Sequence, residues 1–262
     1  LPFKGAERSF LNLRGKNLLK AFQKPFVNAG IPVPRIAIQT DANVAALGEA
    51  WLNGTGADDI VVALVLDSGT GGGFVGGRRS FGTALHPEMG LIQSSMLKDD
   101  PLKYSKTLAP IAETIGVLVG IPTMVERAKI LKKRREISED CENIYDLIKI
   151  TYDNYWRVPS IYVARLCFIC TTILSPTTIV LGGPLSHSTI FTKMIKNEFF
   201  NILNNLKDSP KFVYQHISDS ASNYIRTATR ARLPFGLAGS VYLAWDAAIG
   251  EAGVTYSPSS SS

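Results

Sequence analysis

IVVALVLDSGTGGGFVGGRRSFGTALHPEMG, residues 60–90, holds the transition that decides the fold: an aliphatic run, a crowd of glycines, then a polar loop with His86 and Glu88. Residues 60–66 form a continuous β-branched and aliphatic run, the pattern of a strand buried on both faces. Residues 68–73 then break it, and Phe74-Val75 resumes as a second strand. Glycines in such a turn permit positive φ and close approach of a ligand, so successive N–H groups can converge on an anion. A glycine-rich hairpin without a ligand has the same pattern, and the segment alone does not separate the two.

Upstream, IAIQTDANVAALGEAW places a strand over 35–39, then Thr40-Asp41, then a helix with Val44, Leu47 and Trp51 on one stripe. Asp41 therefore stands at a strand-to-helix junction. A carboxylate there can cap the helix by accepting N–H bonds from its first turn. Facing a phosphate loop, it can instead accept the proton of an attacking hydroxyl. Position does not choose between these roles.

The motifs TDANVAALGEAW, LDSGTGGGF, HPEMG, LSPTTIVLGG and LPFGLAGSVYLAWDAA resemble, in this order, those of the ROK family (repressor, open reading frame, kinase). HPEMG is most similar to the family's fructokinases. Several motifs in order are far more specific than any one of them. The resemblance runs from within the first fifty residues to about residue 250. It implies an α/β, actin-like (ribonuclease H-like) ATPase fold of two lobes, with nucleotide and sugar in the cleft between them. The implied activity is ATP-dependent phosphorylation of a hexose, fructose first, with Mg2+ accompanying ATP.

Carried over by residue, Asp41 resembles the family's catalytic base, and Gly69, Thr70, Gly71 and Gly72 resemble its second phosphate loop. Glu88 matches a glutamate that binds sugar hydroxyls, and Glu113 in AETIG matches, more loosely, a second one. Thr40 stands where the family usually has Asn, beside the sugar. Gly182 and Gly183 resemble the turn that lies against adenosine, where a side chain would block the purine. An ordinary strand-ending turn would look the same.

The departures are equally specific. Leu91 occupies the place of a histidine that in the family helps hold the sugar site and ligates zinc, and residues 92–113 contain no Cys and no His. No structural zinc is expected there. The family's first phosphate loop, Asp-x-Gly-Gly-Thr, is not found. With Leu1 opening the chain, this suggests a fragment, a processed product or a reading frame missing its first exon. A small lobe lacking that hairpin would expose a sheet edge and an apolar face. A noncatalytic sugar-binding sensor or scaffold of the same fold is the alternative function.

Composition fits a globular enzyme: 262 residues, 45% hydrophobic and 19% charged, enough for a sizeable core. Cys141, Cys167 and Cys170 form no even framework and no secretory signal opens the chain, so a reducing, cytoplasmic setting is expected. C-F-I-C lies in an apolar helical stretch, where Cys behaves as a small buried hydrophobe. That stretch carries Arg165 and ends at Ser175-Pro176, short of the roughly twenty residues of a membrane span. The net charge is +6, concentrated in KILKKRRE (129–136), which reads as a solvated helix face because ISEDCE follows it.

Expected partners are therefore a hexose and ATP, with no nucleic acid and no membrane, and with a homodimer left open. The expected organisation is a small-lobe remainder over 1–56, a large lobe over 57–235, a returning C-terminal helix over 236–250 and a polar tail over 251–262. NGTGADD is the expected hinge. Helices are expected near 16–28, kinked by Pro25, and near 111–133, 141–155 and 237–249, with a strand over 177–181.

Overall fold

The computed structural model describes residues 16–77, 79–80, 87–105, 113–206, 217, 221–229 and 234–249. The opening fifteen residues, His86, the expected helix start at Ile111 and the polar tail lie outside the described residues. Contacts divide the chain into two compact units: Leu1–Gln39 with Val241–Ser262, and Thr40–Ser240.

In the first unit, helix α1 (Leu18–Asn28) starts two residues later than expected, because Asn17 accepts the Lys20 N–H at 3.0 Å and caps it. Pro25 lies inside the helix. No strand forms over 35–39. A strand needs a ladder partner, and among the described residues none pairs with this segment. Arg35 instead donates to the Ala247 and Ala248 carbonyls at 3.3 and 3.4 Å, satisfying acceptors that a helix end leaves open. Phe22, Val27, Ile31 and Trp245 are exposed.

The second unit is built on a five-stranded mixed sheet. After helix α2 (Asp41–Leu52), residues 53–59 lead into β1 (Ile60–Leu66), which forms a hairpin with β2 (Thr70–Gly76) and then β3 (Arg79–Ser80). The chain continues through α3 (Ile115–Val119), α4 (Ile121–Lys133), α5 (Ile144–Leu147) and α6 (Asp153–Leu174) to β4 (Thr178–Gly182). Helices α7 (Thr189–Asn204) and α8 (Ala221–Tyr224), strand β5 (Ile225–Thr227) and helix α9 (Phe235–Ile249) follow, and the first residues of α9 complete the unit. Strand order is β3-β2-β1-β4-β5. The hairpin strands are antiparallel, whereas β4 joins β1, and β5 joins β4, in parallel.

β1 is central and buried on both sides, as its run of aliphatic residues requires. Val62, Leu64 and Leu66 face a large apolar core with Leu118, Tyr155, Trp156, Tyr162, Phe191 and Phe199. Each fully buried Leu or Phe of this kind contributes roughly 1.5–3 kcal/mol relative to exposure. Trp156 stacks on Phe191 at 4.8 Å, joining α6 to α7.

The expected helix over 141–155 is much shorter. Asn143 and Asp146 form a capping box that opens only the one-turn α5, and a new helix begins at Asp153. Helix α6 is consequently longer than its apolar stretch suggested. It has 22 residues and a mean hydropathy of 1.4, making it the one helix among the described residues with the length and composition of a membrane span. Its buried residues include Tyr155, Trp156, Tyr162, Val163, Leu166, Cys167 and Cys170, which belong to the core. The basic run ends α4, where Lys132 pairs with Asp140 and Arg134 lies 3.9 Å from Glu136. Cations there complement the negative end of the helix dipole.

Candidate active site

The glycines after β1 do not form the break expected of them. Only residues 67–69 make the turn, while Gly71, Gly72 and Gly73 lie inside β2, paired with Val65, Leu64 and Ala63. Nor do these glycines, or Gly69, adopt positive φ. Gly72 and Gly73 have no room for a side chain because neighbours press on the two faces of the strand, whereas Gly71 has only ordinary contacts. A Cβ on Gly73 would overlap the Ala42 carbonyl and the Asn43 nitrogen, and one on Gly71 would sit 3.7 Å from the Ala42 Cβ. On the alternate face, a Cβ on Gly72 would overlap the Met89 side chain.

The first turn of α2 is therefore seated on bare strand backbone. Thr40 is its cap, with Oγ1 accepting the Asn43 N–H at 3.4 Å. Asn43 is fully buried, and its Oδ1 accepts the Phe74 N–H at 3.1 Å, fastening the helix to β2. Asp41 is exposed at the first helical position, and its Oδ1 accepts the Ala42 N–H at 2.8 Å. Asn43 was not singled out in the sequence. A polar residue beside Val44 and Leu47 in an apolar helix was the available signal.

At the other end of the hairpin turn stands Asp67, exposed, with Oδ1 accepting the Ser68 N–H at 2.7 Å. Thr70 opens β2 almost fully buried, and its Oγ1 has no hydrogen-bond partner among the described residues. An unpaired buried hydroxyl is costly, and a phosphate oxygen is a group that would satisfy it. Asp41 opens the helix seated on β2, and Asp67 opens the turn that joins β1 to β2. Among the described residues no three His, Cys, Asp or Glu side chains cluster as a metal site, and Mg2+ in nucleotide sites needs only one or two carboxylates beside the phosphates.

Glu88 and Glu113 are exposed and lie on two segments that the structure brings together. Glu88 precedes a 3-10 turn, Met89–Leu91, that packs on β2: Met89 covers Gly72, and Gly90 touches the Thr70 carbonyl. An isolated bridge pairs Gln93 with Thr114, the Ser94 N–H donates to the Glu113 carbonyl at 2.8 Å, and the Ile115 N–H donates to that of Ile92 at 2.9 Å. The two acids thus flank one neck. The Thr114 hydroxyl in that neck is also buried without a partner among the described residues. Leu91 is 63% exposed beside Glu88.

Gly182 closes β4, and Gly183 follows at φ +82°. A Cβ on Gly182 would lie 2.6 Å from the Phe235 ring, and one on Gly183 would overlap the Leu66 backbone. Phe235 sits in the quoted LPFGLAG motif but was not picked out, because nothing local to it signals a partner on β4. The site residues named above all belong to the second unit.

Helix α2 is fixed at its far end as well. Glu49, fully buried, accepts from Thr229 N at 2.6 Å, Arg226 NH1 at 2.7 Å, Thr229 Oγ1 at 2.9 Å and Asn53 Nδ2 at 3.1 Å. Between its ends, Gly48 meets Gly239 and the Phe235 carbonyl of α9 at backbone contact.

A mixed sheet of this order, with a glycine hairpin and a helix seated on it, defines an α/β protein of the actin-like ATPase fold. The ROK family model matches residues 14–224, and the chain belongs to the ROK family. A Bacillus subtilis (strain 168) protein provisionally named a fructokinase is 26% identical over 217 residues, covering 83% of this chain and 65% of that protein. A Pediococcus pentosaceus fructokinase is 24% identical over 171 residues, covering 65% of this chain and 54% of its own length. The chain thus spans less than two thirds of both relatives. Among solved structures, a ROK family glucokinase from Streptomyces griseus, in complex with glucose and AMPPNP, superposes with TM-score 0.62 at 20% identity, covering 86% of this chain and 72% of that one. A ROK family transcriptional regulator, a homolog of the E. coli MLC protein, gives the same TM-score at 13% identity, covering 87% and 56%. The fold is shared by kinases and regulators alike.

Proposed function

We propose that the protein phosphorylates a hexose at the expense of ATP, with fructose the first candidate. The observation that carries this reading is the seating of α2 on β2, which sets the first turn of the helix, with Asp41, against a strand that has no side chains over Gly71–Gly73. The names of the curated relatives support a sugar kinase, and their fructokinase names favour fructose.

In this reading the hexose lies against Thr40, Asp41, Glu88 and Glu113, and the three carboxylates accept bonds from its hydroxyls. Thr70 and the backbone of Gly69, Gly71 and Gly72 hold the phosphates, and Gly182-Gly183 borders the adenosine. Mg2+ neutralises phosphate charge when bound. Asp41 accepts the proton of the attacking hydroxyl as its oxygen bonds to the γ-phosphorus and the bond to ADP breaks. Asp41 suits this role because a helix-bound carboxylate with one oxygen engaged by Ala42 N–H has a fixed direction.

The test is hexose-dependent ADP release across a panel of hexoses, with calorimetry for fructose and for AMPPNP. Turnover with one hexose and not with buffer alone supports the kinase. Leu91 in the site motivates the second reading, a sugar-binding protein without phosphoryl transfer, and binding without ADP release would favour it.

A further inference from the structure

We infer that Asp100, Arg127 and Tyr162 form a buried positioning cluster that sets the neck bearing Glu88 and Glu113, and through it the affinity for hexose. This rests on the kinase reading for its substrate. Its structural content does not.

The Asp100 and Arg127 side chains are fully buried and form a two-pronged pair, Nε to Oδ1 at 3.2 Å and NH2 to Oδ2 at 3.1 Å. Asp100 Oδ1 also accepts the Leu102 N–H at 3.0 Å, and Oδ2 accepts the Tyr162 hydroxyl at 2.9 Å. An ionised carboxylate offers about four acceptor positions, and all of them are used here. The Tyr162 oxygen in turn accepts the Leu97 N–H at 2.8 Å. Burial pushes the Tyr162 hydroxyl above its ordinary pKa, so it keeps the proton it donates. Arg127 NH2 also donates to the Leu118 carbonyl at 3.0 Å.

These bonds reach both sides of the acid-bearing neck. Asp100, Leu97 and Leu102 lie on the segment that leaves it after Ser94, and Ser94 is itself held by Arg165 of α6 at 3.3 Å. Leu118 lies on α3, which leaves the neck after Thr114. Gly116 of α3 touches the Gly90 carbonyl, and Gly120 at its end touches the Ser68 carbonyl of the hairpin turn. One guanidinium therefore joins the segment that leaves the neck after Ser94, the helix that leaves it after Thr114 and, through that helix, the glycine turn.

A buried ion pair is a weak source of stability, since apolar residues of the same volume often do as well. Its distinctive property is direction: a planar fork holds a carboxylate in one orientation, which an apolar contact does not. Here that direction is passed to the two chain segments between which Glu88 and Glu113 stand.

The experiment compares the full chain with Tyr162→Phe and with the paired apolar exchange Arg127→Met and Asp100→Leu, reading amide hydrogen exchange, hexose KM and kcat, and AMPPNP affinity. Tyr162→Phe removes only the hydroxyl and keeps the buried ring, so it is expected to fold. The expected result is faster exchange at Ser94 and Ile115 with β1 unchanged, and hexose KM raised about tenfold with kcat and AMPPNP affinity within about twofold. Both variants are expected to behave alike, and Arg127→Lys, which restores charge without the fork, is not expected to rescue KM. Unchanged neck exchange and unchanged KM, accompanied only by a lower melting temperature, would reduce the cluster to scaffold and overturn the inference. If the wild type turns over no hexose, the kinase reading fails, and exchange at the neck alone decides the cluster's role.

Discussion

Gly73 of β2 and Ala42 of α2 touch backbone to backbone, so closely that a methyl group on the glycine would occupy the place of the Ala42 carbonyl. The residue before Ala42 is Asp41. A strand position without a side chain thus sets where the proposed base stands.

Gly73→Ala is accordingly expected to destabilise the protein by about 1–3 kcal/mol, the range for overfilled cores, and to lower turnover further by displacing the first turn of α2. At Gly69 the added carbon would lie 3.8 Å from the Gly116 carbonyl, an ordinary contact, so Gly69→Ala is expected to fold as the wild type does. Urea midpoints of the two variants make the comparison.

Asp41→Asn keeps shape and loses basicity. Turnover is expected to fall by about two orders of magnitude or more, with hexose affinity nearly intact. Calorimetry beside the ADP-release assay measures both, and equal turnover in the two proteins would remove the assignment.

Thr70→Val replaces a buried hydroxyl that has no partner among the described residues by a methyl group of similar size in a strand that suits β-branched residues. The fold is expected to gain about 1 kcal/mol, while AMPPNP affinity falls because a phosphate loses its donor. A rise in melting temperature paired with weaker nucleotide binding is the signature. Stabilisation without any loss of binding would place the nucleotide elsewhere.

Glu49→Ala would leave the Thr229 N–H without its carboxylate acceptor and Arg226, whose side chain is 23% exposed, with only the Thr229 hydroxyl and the Thr227 carbonyl. The expected loss is about 1–3 kcal/mol, measured by denaturant titration. The change lies at the opposite end of α2 from Asp41, so hexose KM in the surviving folded fraction should move little.

Burial pushes the Cys170 thiol from 9.0 up to about 12, and burial with Asp146, Glu139 and Asp140 nearby pushes Cys141 up to about 11. The folded state holds these protons more tightly than the unfolded chain does. The stability they contribute is whole below about pH 9 and is lost as pH rises through their folded values. Urea midpoints at about pH 8 and about pH 10.5 should therefore converge in a Cys141→Ala, Cys170→Ala protein more than in the wild type.

How much of this was written in the chain depended on the range of the interaction. β1 was legible because a strand buried on both faces has no polar residue to place, and the family motifs were legible in their order. The glycines after it were misread as a break, since local propensity says that glycine weakens strands, whereas here the approach of Ala42 and Met89 overrides it. The segment over 35–39 had strand composition, but among the described residues no strand forms a ladder with it. Asp41 could be found at its junction, but the bridge of Gln93 to Thr114 could not, because no periodicity announces a pairing between distant residues. Asn43, Glu49 and Arg127 were hidden for the same reason: each is a polar side chain whose partner lies on another element.

The mounting of α2 has a further consequence. With Gly73 beneath its first turn, Gly48 against Gly239 midway and Glu49 locked near its end, the helix has no freedom to roll or slide without a collision of main chains. On the kinase reading, diversification of sugar preference falls to the acid-bearing neck, a part that can be exchanged while the axle beside it stays fixed.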